Sequence, residues 1–237
     1  MCRGDRDSAL GSFPHVFQSA RALGRNGGFP SKALSKPMNP SDFAAFPTGN
    51  LCNADTRVRA LAPAIKPLIP GKRIAGRART VRITPGQNGA IHRAVHEAEV
   101  GDILVVDGGA SERFGPFGDI LADGCLAKGM AGAVLDCTIR DSADIASLGF
   151  QVFCRGFHPE ATAKAERGEF DIPVILEGVP INPGDIVVGD DDGVVVISAN
   201  AATDVMEKVA AVAAREEAIR ARIHAGETTR DIFELEP

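Results

Sequence analysis

The sequence predicts an α/β fold with a long C-terminal helix, and three observations carry that prediction. Two short apolar strands, at 103–106 and 133–136, flank a helix that starts near Asp119. A strand, a helix and a strand within about 35 residues form a βαβ unit, whose strands run parallel. The second half of the chain changes to short strands separated by turns, and it ends in one helix from about 200 to 225.

The composition is that of an ordinary globular protein and excludes several function classes. Of the 237 residues, 44% are apolar and 24% are charged, which is typical of globular domains. The net charge is −5, whereas a nucleic-acid-binding surface normally brings a basic excess. No apolar stretch approaches the roughly 18 residues of a membrane span. We therefore expect neither a nucleic-acid partner nor a membrane partner.

The cysteine pattern predicts a cellular compartment. The five cysteines are Cys2, Cys52, Cys125, Cys137 and Cys154, and they include no C-x-x-C pair. An odd number of separated cysteines in a mid-sized chain is typical of free thiols in a reducing environment. We therefore expect a cytoplasmic protein.

Residues 1–40 differ from the rest of the chain. They are rich in glycine and proline and show little apolar periodicity, which predicts a loose N-terminal extension. Residues 41–237 are predicted to form a single domain. Met38 is an equally good translation start, because domain-like sequence follows it at once.

The elements before the βαβ unit can be predicted from periodicity and turn residues. Mixed patterning predicts short helices around 50–60, and two prolines predict a loop over 65–73. Residues 73–83 alternate small or apolar residues with arginines, which predicts a half-buried strand. Apolar residues at helical spacing predict a helix over 90–99.

The βαβ unit and the elements after it can be predicted in the same way. A glycine-rich loop is predicted over 107–118 and a helix over 119–128, which two glycines end. A short helix at 142–148 and a strand at 151–154 come next. The remaining predicted strands lie at 174–176, 186–188 and 194–197. The last helix is too polar to be buried along its length, so we expect part of it to pack on another subunit.

One constellation of charged residues stands out. Gly118-Asp119 is followed, after twenty intervening residues, by Arg140-Asp141 and then Asp144. Both dipeptides lie beyond the carboxyl ends of neighbouring parallel strands, where open α/β sheets place ligands. Two carboxylates and an arginine there could hold a divalent cation and an anionic substrate. The alternative is purely structural: the aspartates cap two helices, and Arg140 pairs with one of them.

Other patterns favour structural interpretations. His92 and His96 stand at i, i+4, but without a third ligand nearby a solvated helix face is favoured over a metal site. The glycine-rich loop resembles a methyltransferase loop only faintly, with Asp136 as a possible ribose ligand. The run DDDG at 190–193 is too short for a calcium loop and predicts a hairpin turn.

Longer motifs carry a family resemblance. They are GDILVVDGG, GMAGAVLDCTIRD, LGFQVFCRG and NPGDIVVGDDDGVVVI, together with the spacing GD-x20-RD-x2-D. In combination they resemble the 4-hydroxy-4-methyl-2-oxoglutarate / 4-carboxy-4-hydroxy-2-oxoadipate aldolase family, which shares its fold with the regulator of ribonuclease activity A. The resemblance runs from about residue 43 to the C-terminus.

The resemblance implies a fold, an assembly and a reaction. The fold is the β/β/α swivelling-domain fold of RraA-like proteins, assembled as a homotrimer or a hexamer with active sites between subunits. The reaction is class II aldol cleavage, which depends on a divalent metal, Mg2+ or Mn2+. It releases pyruvate from a 4-hydroxy-2-oxo acid, often with oxaloacetate decarboxylation as a second activity.

Three charged residues take roles by this resemblance. Asp141 matches the direct metal ligand, and Asp119 matches the acid that holds the metal through a water. Arg140 matches the arginine that contacts the keto oxygen of the substrate.

The resemblance also implies a substrate-binding turn and a contribution from a neighbouring subunit. The main-chain N–H groups of Ile120 and Leu121 match donors to the pyruvyl carboxylate, and Gly118 opens the same turn. The family takes one glutamate from a neighbour's C-terminal helix, for which Glu216 and Glu217 are the candidates.

A rival interpretation is a protein-binding module like the ribonuclease regulator. That branch typically lacks the aspartate after the arginine, and it lacks the long C-terminal helix. This chain has Asp141 and the predicted helix over 200–225, so the resemblance favours the aldolase.

Overall fold

The computed structural model describes residues 38–165 and 168–236. The strands of that part of the chain are β1 (Arg59–Ala60), β2 (Lys66–Pro67), β3 (Ile74–Arg82), β4 (Asp102–Ser111), β5 (Gly132–Cys137), β6 (Val152–Cys154), β7 (Glu169–Phe170), β8 (Val174–Leu176), β9 (Val179–Ile181), β10 (Ile186–Gly189) and β11 (Val194–Ile197). The main sheet has the order β1-β11-β10-β3-β4-β5-β6-β2, with β7 beside β3, and β8 and β9 form a separate hairpin. Strands β3 to β6 are parallel, which confirms the prediction from the βαβ pattern for β4 and β5.

The helices lie between these strands and at the C-terminus. They are α1 (Thr48–Ala54), α2 (Gly89–Glu97), α3 (Asp119–Ala127), α4 (Ser142–Leu148), α5 (Ala202–His224) and α6 (Thr229–Ile232), with short 3-10 helices at Pro40–Ala45 and Ala199–Ala201. The predictions of α3, α4 and the long C-terminal helix are confirmed. The α/β fold class is confirmed as well.

The glycine-rich segment folds differently from its prediction. β4 continues to Ser111 instead of ending at Val106, so the predicted loop over 107–118 is wrong in its first part. After a shift of register, Ser111 pairs with Cys137 of β5. Gly108 permits this pairing, because a Cβ at that position would lie 2.7 Å from the Cβ of Cys137. Glycine weakens a strand by local propensity, but here pairing between strands decides the conformation.

Two predictions near the start of the domain also need correction. The region around 50–60, predicted to hold short helices, contains one helix, α1. The last two residues of that region, Arg59–Ala60, form β1 and pair with β11. The predicted loop over 65–73 contains a two-residue strand that pairs with β6. Strands this short carry no periodicity, so only their partners reveal them.

The sheet is buried on both faces, which explains the uninterrupted apolar strands. Along β4, Leu104 and Val106 pack with α2, α3 and α4, whereas Ile103 and Val105 pack with the β8–β9 hairpin. A third cluster joins β10 and β11 to α1 and the start of α5. The segments at the carboxyl ends of β4 and β5 are therefore held on a rigid, fully packed support.

Helix α5 is buried only at its beginning. Val205, Met206 and Val209 pack in the third cluster, whereas most residues from Ala210 onward are exposed or half-buried. This matches the prediction that the helix is too polar to be a core helix along its length. Lys208 anchors the buried part through a salt bridge of 2.7 Å to Asp55.

The cysteines of the described residues are free thiols, as predicted; Cys2 lies outside them. Cys125, Cys137 and Cys154 are buried, and burial raises the pKa of Cys125 to about 12 and that of Cys154 to about 11. Such thiols are poor nucleophiles, since the thiolate is the reactive form. None of the described helices is long and apolar enough to cross a membrane.

Most of the predicted N-terminal extension lies outside the described residues, which begin at Met38. Met38 already packs against the third cluster. Asn39 then caps the first 3-10 helix by accepting a hydrogen bond from the N–H of Ser41.

Candidate active site

The candidate site begins at the N-terminus of α3, beyond the carboxyl ends of β4 and β5. Gly118 is the N-cap of α3 and has no side chain to cap the first N–H groups. The first intrahelical bond joins the N–H of Ala122 to the carbonyl of Gly118 over 3.0 Å. The N–H groups of Ile120 and Leu121 therefore have no partner within the helix. Free donors at a helix N-terminus attract anions such as carboxylates.

Arg140 and Asp141 follow β5 and face this turn. The main-chain N–H of Arg140 donates to the carbonyl of Phe117 over 3.0 Å, which ties the end of β5 to the start of α3. The Nε atom of Arg140 lies 3.1 Å from Oδ2 of Asp141, and both side chains are about one-third exposed. This ion pair stands at the edge of solvent, where a ligand can reach it.

Asp141 has an unusual backbone conformation. Its φ of 54° and ψ of 36° are left-handed, which is uncommon for a residue other than glycine. Asp141 is also the N-cap of α4, yet its side chain makes no capping hydrogen bond. An aspartate at this position normally stabilises its helix by such a bond. Strained residues of this kind cluster at functional sites, which makes Asp141 a candidate for function.

Gly118 lies in close contact with this ion pair. A Cβ built at Gly118 would lie 2.5 Å from Oδ2 of Asp141 and 3.0 Å from Nε of Arg140. Any side chain at this position would therefore displace the pair. The two dipeptides that stand twenty residues apart in the sequence meet at one point, as the topology predicted.

A cleft between α2 and α3 opens at this point, with about 320 Å3 of empty space that includes part of the open solvent at its mouth. Its lining residues are Asn88, His92, Pro116, Gly118, Ile120, Leu121, Arg140 and Lys164. The four residues of this set that the sequence placed in the substrate site are Gly118, Ile120, Leu121 and Arg140. We call this space the α2–α3 cleft.

Asp119 is the first residue of α3 and is half-buried. Its carboxylate makes no ion pair or side-chain hydrogen bond with any residue of the ranges 38–165 and 168–236. A negative charge in the first turn of a helix is favourable. Asp119 stands between Gly118 and Ile120 of the cleft lining without being a lining residue itself, and its oxygen atoms are uncommitted within those ranges.

The structural alternative for the two aspartates is right in one part and wrong in two. Arg140 does pair with Asp141. Asp119, however, is not the cap of α3, because Gly118 is the N-cap. Asp141 occupies a cap position but does not cap with its side chain. Asp144 lies exposed in the first turn of α4 and does not line the cleft.

The donor set fits a weakly held hard cation. Among the described residues no group of three or more His, Cys, Asp or Glu side chains could hold a metal ion together. The available donors are the carboxylate oxygens of Asp141 and Asp119. Mg2+ prefers oxygen ligands and is usually bound through one or two carboxylates, with water and substrate completing its shell. The residues present therefore fit Mg2+, or the similar Mn2+, better than Zn2+.

Two residues that the sequence did not single out for the substrate site line the same cleft. Asn88 is buried, and its Oδ1 atom has no hydrogen-bond partner among the described residues. The Nε2 atom of His92 is also buried and without a partner in that part of the chain. Burial lowers the pKa of His92, and Lys164 lowers it further. The prediction of a solvated helix face is wrong for His92, although it holds for His96, whose side chain is 79% exposed.

A sequence signal for these residues exists but is weak. Asn88 and His92 stand at i, i+4 across the start of α2, which puts them on one side of the helix. The decisive contact comes from far along the chain, because Ala163 accepts a hydrogen bond of 2.9 Å from the N–H of Asn88. That contact brings Lys164 to the cleft, and nothing local to α2 encodes it.

The two candidate glutamates on α5 have different surroundings. Glu216 accepts a hydrogen bond of 3.1 Å from Asn50 of α1 and lies 3.8 Å from Arg220. Glu217 is exposed. Neither lines the α2–α3 cleft of its own chain. Their predicted role in a neighbouring subunit remains a prediction.

Asp136, the possible ribose ligand, is committed elsewhere. It is buried and pairs with Nε of Arg155 at 2.5 Å. Arg155 also pairs with Glu177. This buried network gives Asp136 a structural role and removes the basis for a methyltransferase-like site.

Comparisons with known proteins agree with this geometry. The family model described as RraA-like, Aldolase/RraA, matches residues 48–196. A Halalkalibacterium halodurans protein named "Putative 4-hydroxy-4-methyl-2-oxoglutarate aldolase" is 36% identical over 178 residues, 75% of this chain and 85% of that protein. The "4-hydroxy-4-methyl-2-oxoglutarate aldolase" of Thermus thermophilus is 33% identical over 125 residues, 53% of this chain and 76% of that protein.

A solved structure shares the fold. The RNA-processing inhibitor RraA from Thermus thermophilis superposes with a TM-score of 0.60 and 30% identity, over 64% of this chain and 92% of that one. The names of these relatives thus include both an aldolase and an inhibitor of RNA processing. On the match of its sequence and its fold, this chain belongs to the RraA-like, Aldolase/RraA family.

Proposed function

We propose that this protein is a divalent-metal-dependent aldolase that releases pyruvate from 4-hydroxy-2-oxo acids, with oxaloacetate decarboxylation as a second activity. The single observation that carries the proposal is the contact of the Arg140–Asp141 pair with Gly118, at the uncapped N-terminus of α3. A carboxylate, a cationic side chain and free N–H donors meet there. This combination suits a 2-oxo acid, which carries a carboxylate next to a keto oxygen.

The pyruvyl half of the substrate binds through main-chain and side-chain donors. The N–H groups of Ile120 and Leu121 hold its carboxylate, and the positive end of the α3 dipole favours that charge. The guanidinium of Arg140 donates to the keto oxygen. Both contacts orient the bond between C3 and C4 for cleavage.

Cleavage moves charge onto the keto oxygen. Breaking the bond between C3 and C4 leaves the enolate of pyruvate, and Arg140 stabilises the developing negative charge by hydrogen bonding. Loss of carbon dioxide from oxaloacetate produces the same enolate. One set of donors can therefore serve both reactions.

Asp141 and Asp119 are the residues that would hold Mg2+ or Mn2+, Asp141 directly and Asp119 through water. When bound, the ion supplies Lewis-acid stabilisation of charge on the keto acid oxygens. Asp119, whose carboxylate is uncommitted, also accepts the proton that the C4 hydroxyl releases as the bond breaks. Cleavage turns the C4 hydroxyl into a carbonyl group, and the proton held by Asp119 then passes to C3 of the enolate to give pyruvate.

We propose further that the active protein is a homotrimer or a hexamer. In this assembly Glu216 or Glu217 of one subunit completes the site of its neighbour. The second half of α5 supports this arrangement, because it lies outside the hydrophobic clusters that the described residues form and is largely exposed. Light scattering is the direct measurement, and a monomer would contradict the shared site.

A pyruvate-release assay tests the proposal. Oxaloacetate and 4-carboxy-4-hydroxy-2-oxoadipate are each incubated with the protein, with and without EDTA. We expect release from both substrates, loss of release in EDTA, and recovery with Mg2+ or Mn2+. Full activity in a metal-stripped sample would refute metal dependence. No release from either substrate would favour the rival, a protein-binding module of the kind named among the relatives.

A further inference from the structure

The side chain of Asn88 does not do what its position favours. Asn88 is the N-cap of α2, yet its side chain makes no capping hydrogen bond. Asparagine at an N-cap ordinarily uses Oδ1 to accept from the N–H groups of the first turn. Here Nδ2 donates instead to the carbonyl of Pro116 over 2.9 Å. The Asn88 side chain therefore does not cap α2, and its amide group bonds instead to Pro116 in the lining of the α2–α3 cleft.

The contact with Pro116 also settles which amide atom is which. A carbonyl oxygen only accepts hydrogen bonds, so the atom that faces Pro116 must be the amide nitrogen. The remaining atom, Oδ1, is a pure acceptor, and it is buried without a partner among the described residues. Asn88 itself is 8% exposed. A buried acceptor without a donor is costly, and it calls for a donor from a ligand.

His92 adds a second polar atom beside Asn88. The N–H of His92 donates to the carbonyl of Asn88 over 3.4 Å, so the two residues lie one helical turn apart. The Nε2 atom of His92 is buried and likewise without a partner in the described part of the chain. Both residues line the α2–α3 cleft together with Gly118 and Arg140.

The chemistry of the substrate decides what these atoms can bind. The pyruvyl half offers a carboxylate and a keto oxygen, which are acceptors only and cannot satisfy Oδ1 of Asn88. A 4-hydroxy-2-oxo acid has a donor at one place, the hydroxyl on C4. Oxaloacetate as its keto dianion has no such donor.

We infer that Asn88 and His92 bind the C4 hydroxyl of the substrate, with Oδ1 of Asn88 accepting from the hydroxyl and Nε2–H of neutral His92 donating to its oxygen. The inference rests on the proposed function and assigns the specificity of that same site. An amide oxygen is too weak a base to take the proton. Asn88 therefore orients the hydroxyl, which rotates about its C–O bond to deliver the proton to Asp119.

The environment of His92 supports this assignment. Burial, and then the charge of Lys164, lower the pKa of His92 and favour the neutral ring. A site built to hydrogen-bond a hydroxyl discriminates strongly against analogues that lack one. Asn88 and His92 would therefore separate aldol substrates from oxaloacetate, whereas Arg140 serves both.

The test compares two substrates in the same variant. For Asn88→Ala we expect kcat/KM on 4-hydroxy-4-methyl-2-oxoglutarate to fall about 10- to 100-fold. We expect kcat/KM on oxaloacetate to fall less, because that substrate does not use the amide oxygen and loses only the support that the hydrogen bond to Pro116 gives the shared site. The readout is the ratio of the two values, which a general loss of structure would not change.

A matched pair of histidine variants gives an independent test on the same helix. His92→Phe should shift the same ratio in the same direction, whereas His96→Phe should not, because His96 is 79% exposed and does not line the cleft. Melting temperatures of all variants report whether each still folds. If Asn88→Ala does not fold, the substrate ratios of His92→Phe and His96→Phe alone test whether the C4 hydroxyl is bound here.

The outcomes separate the two proposals. An equal loss on both substrates, or no loss on either, would overturn the hydroxyl assignment and leave the aldolase intact. Pyruvate release from neither substrate by the unaltered protein would overturn the proposed function and the hydroxyl assignment with it.

Discussion

Two aspartates that come after strands of the sheet, Asp190 after β10 and Asp141 after β5, have opposite surroundings. Asp190 is buried and accepts from the N–H and the hydroxyl of Thr48 at 2.8 and 2.7 Å, and from the N–H of Asp192 at 3.1 Å. Asp141 is exposed, has a left-handed backbone, and pairs with the side chain of Arg140. A carboxylate with all its donors supplied by the fold stabilises the fold, whereas one left short of donors is available to a ligand.

The largest expected effect separates these two aspartates. Asp141→Asn should lose on the order of 10³-fold in pyruvate release, because a bound cation supplies several kcal/mol of charge stabilisation. Its free energy of unfolding should change little. Asp190→Ala should do the reverse, losing about 2 kcal/mol of stability while the folded fraction keeps its activity. Steady-state assays and urea unfolding measure the two; parallel losses in both variants would remove the distinction.

Arg140 is the next test, because it belongs to the same exposed pair. Arg140→Lys keeps the charge but loses the planar fork that can reach keto oxygen and carboxylate together. We expect a loss of roughly 10²-fold in turnover, the scale of removing one oxyanion donor. Near-normal turnover would mean that Arg140 is only an ion-pair partner of Asp141.

The two candidate glutamates of α5 test whether carboxylates that serve the site, like Asp141, also come from a neighbouring subunit. Removing a residue that orients a metal ligand without binding the metal itself usually lowers metal affinity or activity about 10- to 100-fold. We expect that loss for one of Glu216→Ala and Glu217→Ala, measured separately.

Mixing subunits then tests how the site is built. Inactive Asp141→Ala subunits mixed with the inactive glutamate variant should partly recover activity, because some interfaces pair two intact halves. No recovery after verified subunit exchange would mean that each site is built within one chain.

Gly118 links the strained aspartate to the helix turn, and it can be tested with a matched control. A Cβ at Gly118 would lie 2.5 Å from Asp141, so Gly118→Ala should cost roughly 10-fold in activity by displacing the ion pair. Gly124 lies in the same helix, and among the described residues a Cβ there would meet a side-chain carbon of Val95 at an ordinary contact distance of 3.8 Å. Gly124→Ala should therefore retain activity and gain up to about 1 kcal/mol of stability.

The smallest expected effect concerns a second carboxylate that serves the fold. Hydrogen bonds from Arg57, and then from Lys208, hold the pKa of Asp55 far below its ordinary value of about 3.9. A lowered folded pKa stabilises the fold fully above that ordinary value, and the contribution is lost as pH falls through and below it. In urea unfolding, the difference between the wild type and Asp55→Asn should shrink between pH 5 and about pH 3. A constant difference would contradict the ion-pair role.

The relation between sequence and site differs for the two sides of the cleft. On the α3 side, glycine, charge and strand periodicity within one βαβ unit predicted that Gly118, Arg140 and Asp141 would meet, and they do. On the α2 side, the sequence predicted a solvated His92, whereas its Nε2 atom is buried. The segment around Ala163 folds back onto the start of α2, and Lys164 of that segment lines the cleft together with His92.

The sequence by itself determined the elements whose signal is local. Helix α4 ends where it was predicted, because Gly149 can adopt the left-handed conformation of a helix end. The parallel strands were recognisable because both of their faces are buried, which requires uninterrupted apolar residues. Burial of one face gives alternating apolar residues, and burial of both faces gives an uninterrupted apolar run, so either pattern can be recognised in the sequence.

Only the tertiary structure decided the features that depend on partners distant in the sequence. These include the extension of β4 to Ser111 by pairing with β5, the hydrogen bond from Asn50 to Glu216, and the amide of Asn88 turned to Pro116 instead of capping its helix. In each case a favourable local alternative existed, a loop, a solvated acid or an N-cap. A contact formed elsewhere in the fold outweighed it, and no local pattern records the free energy of that contact.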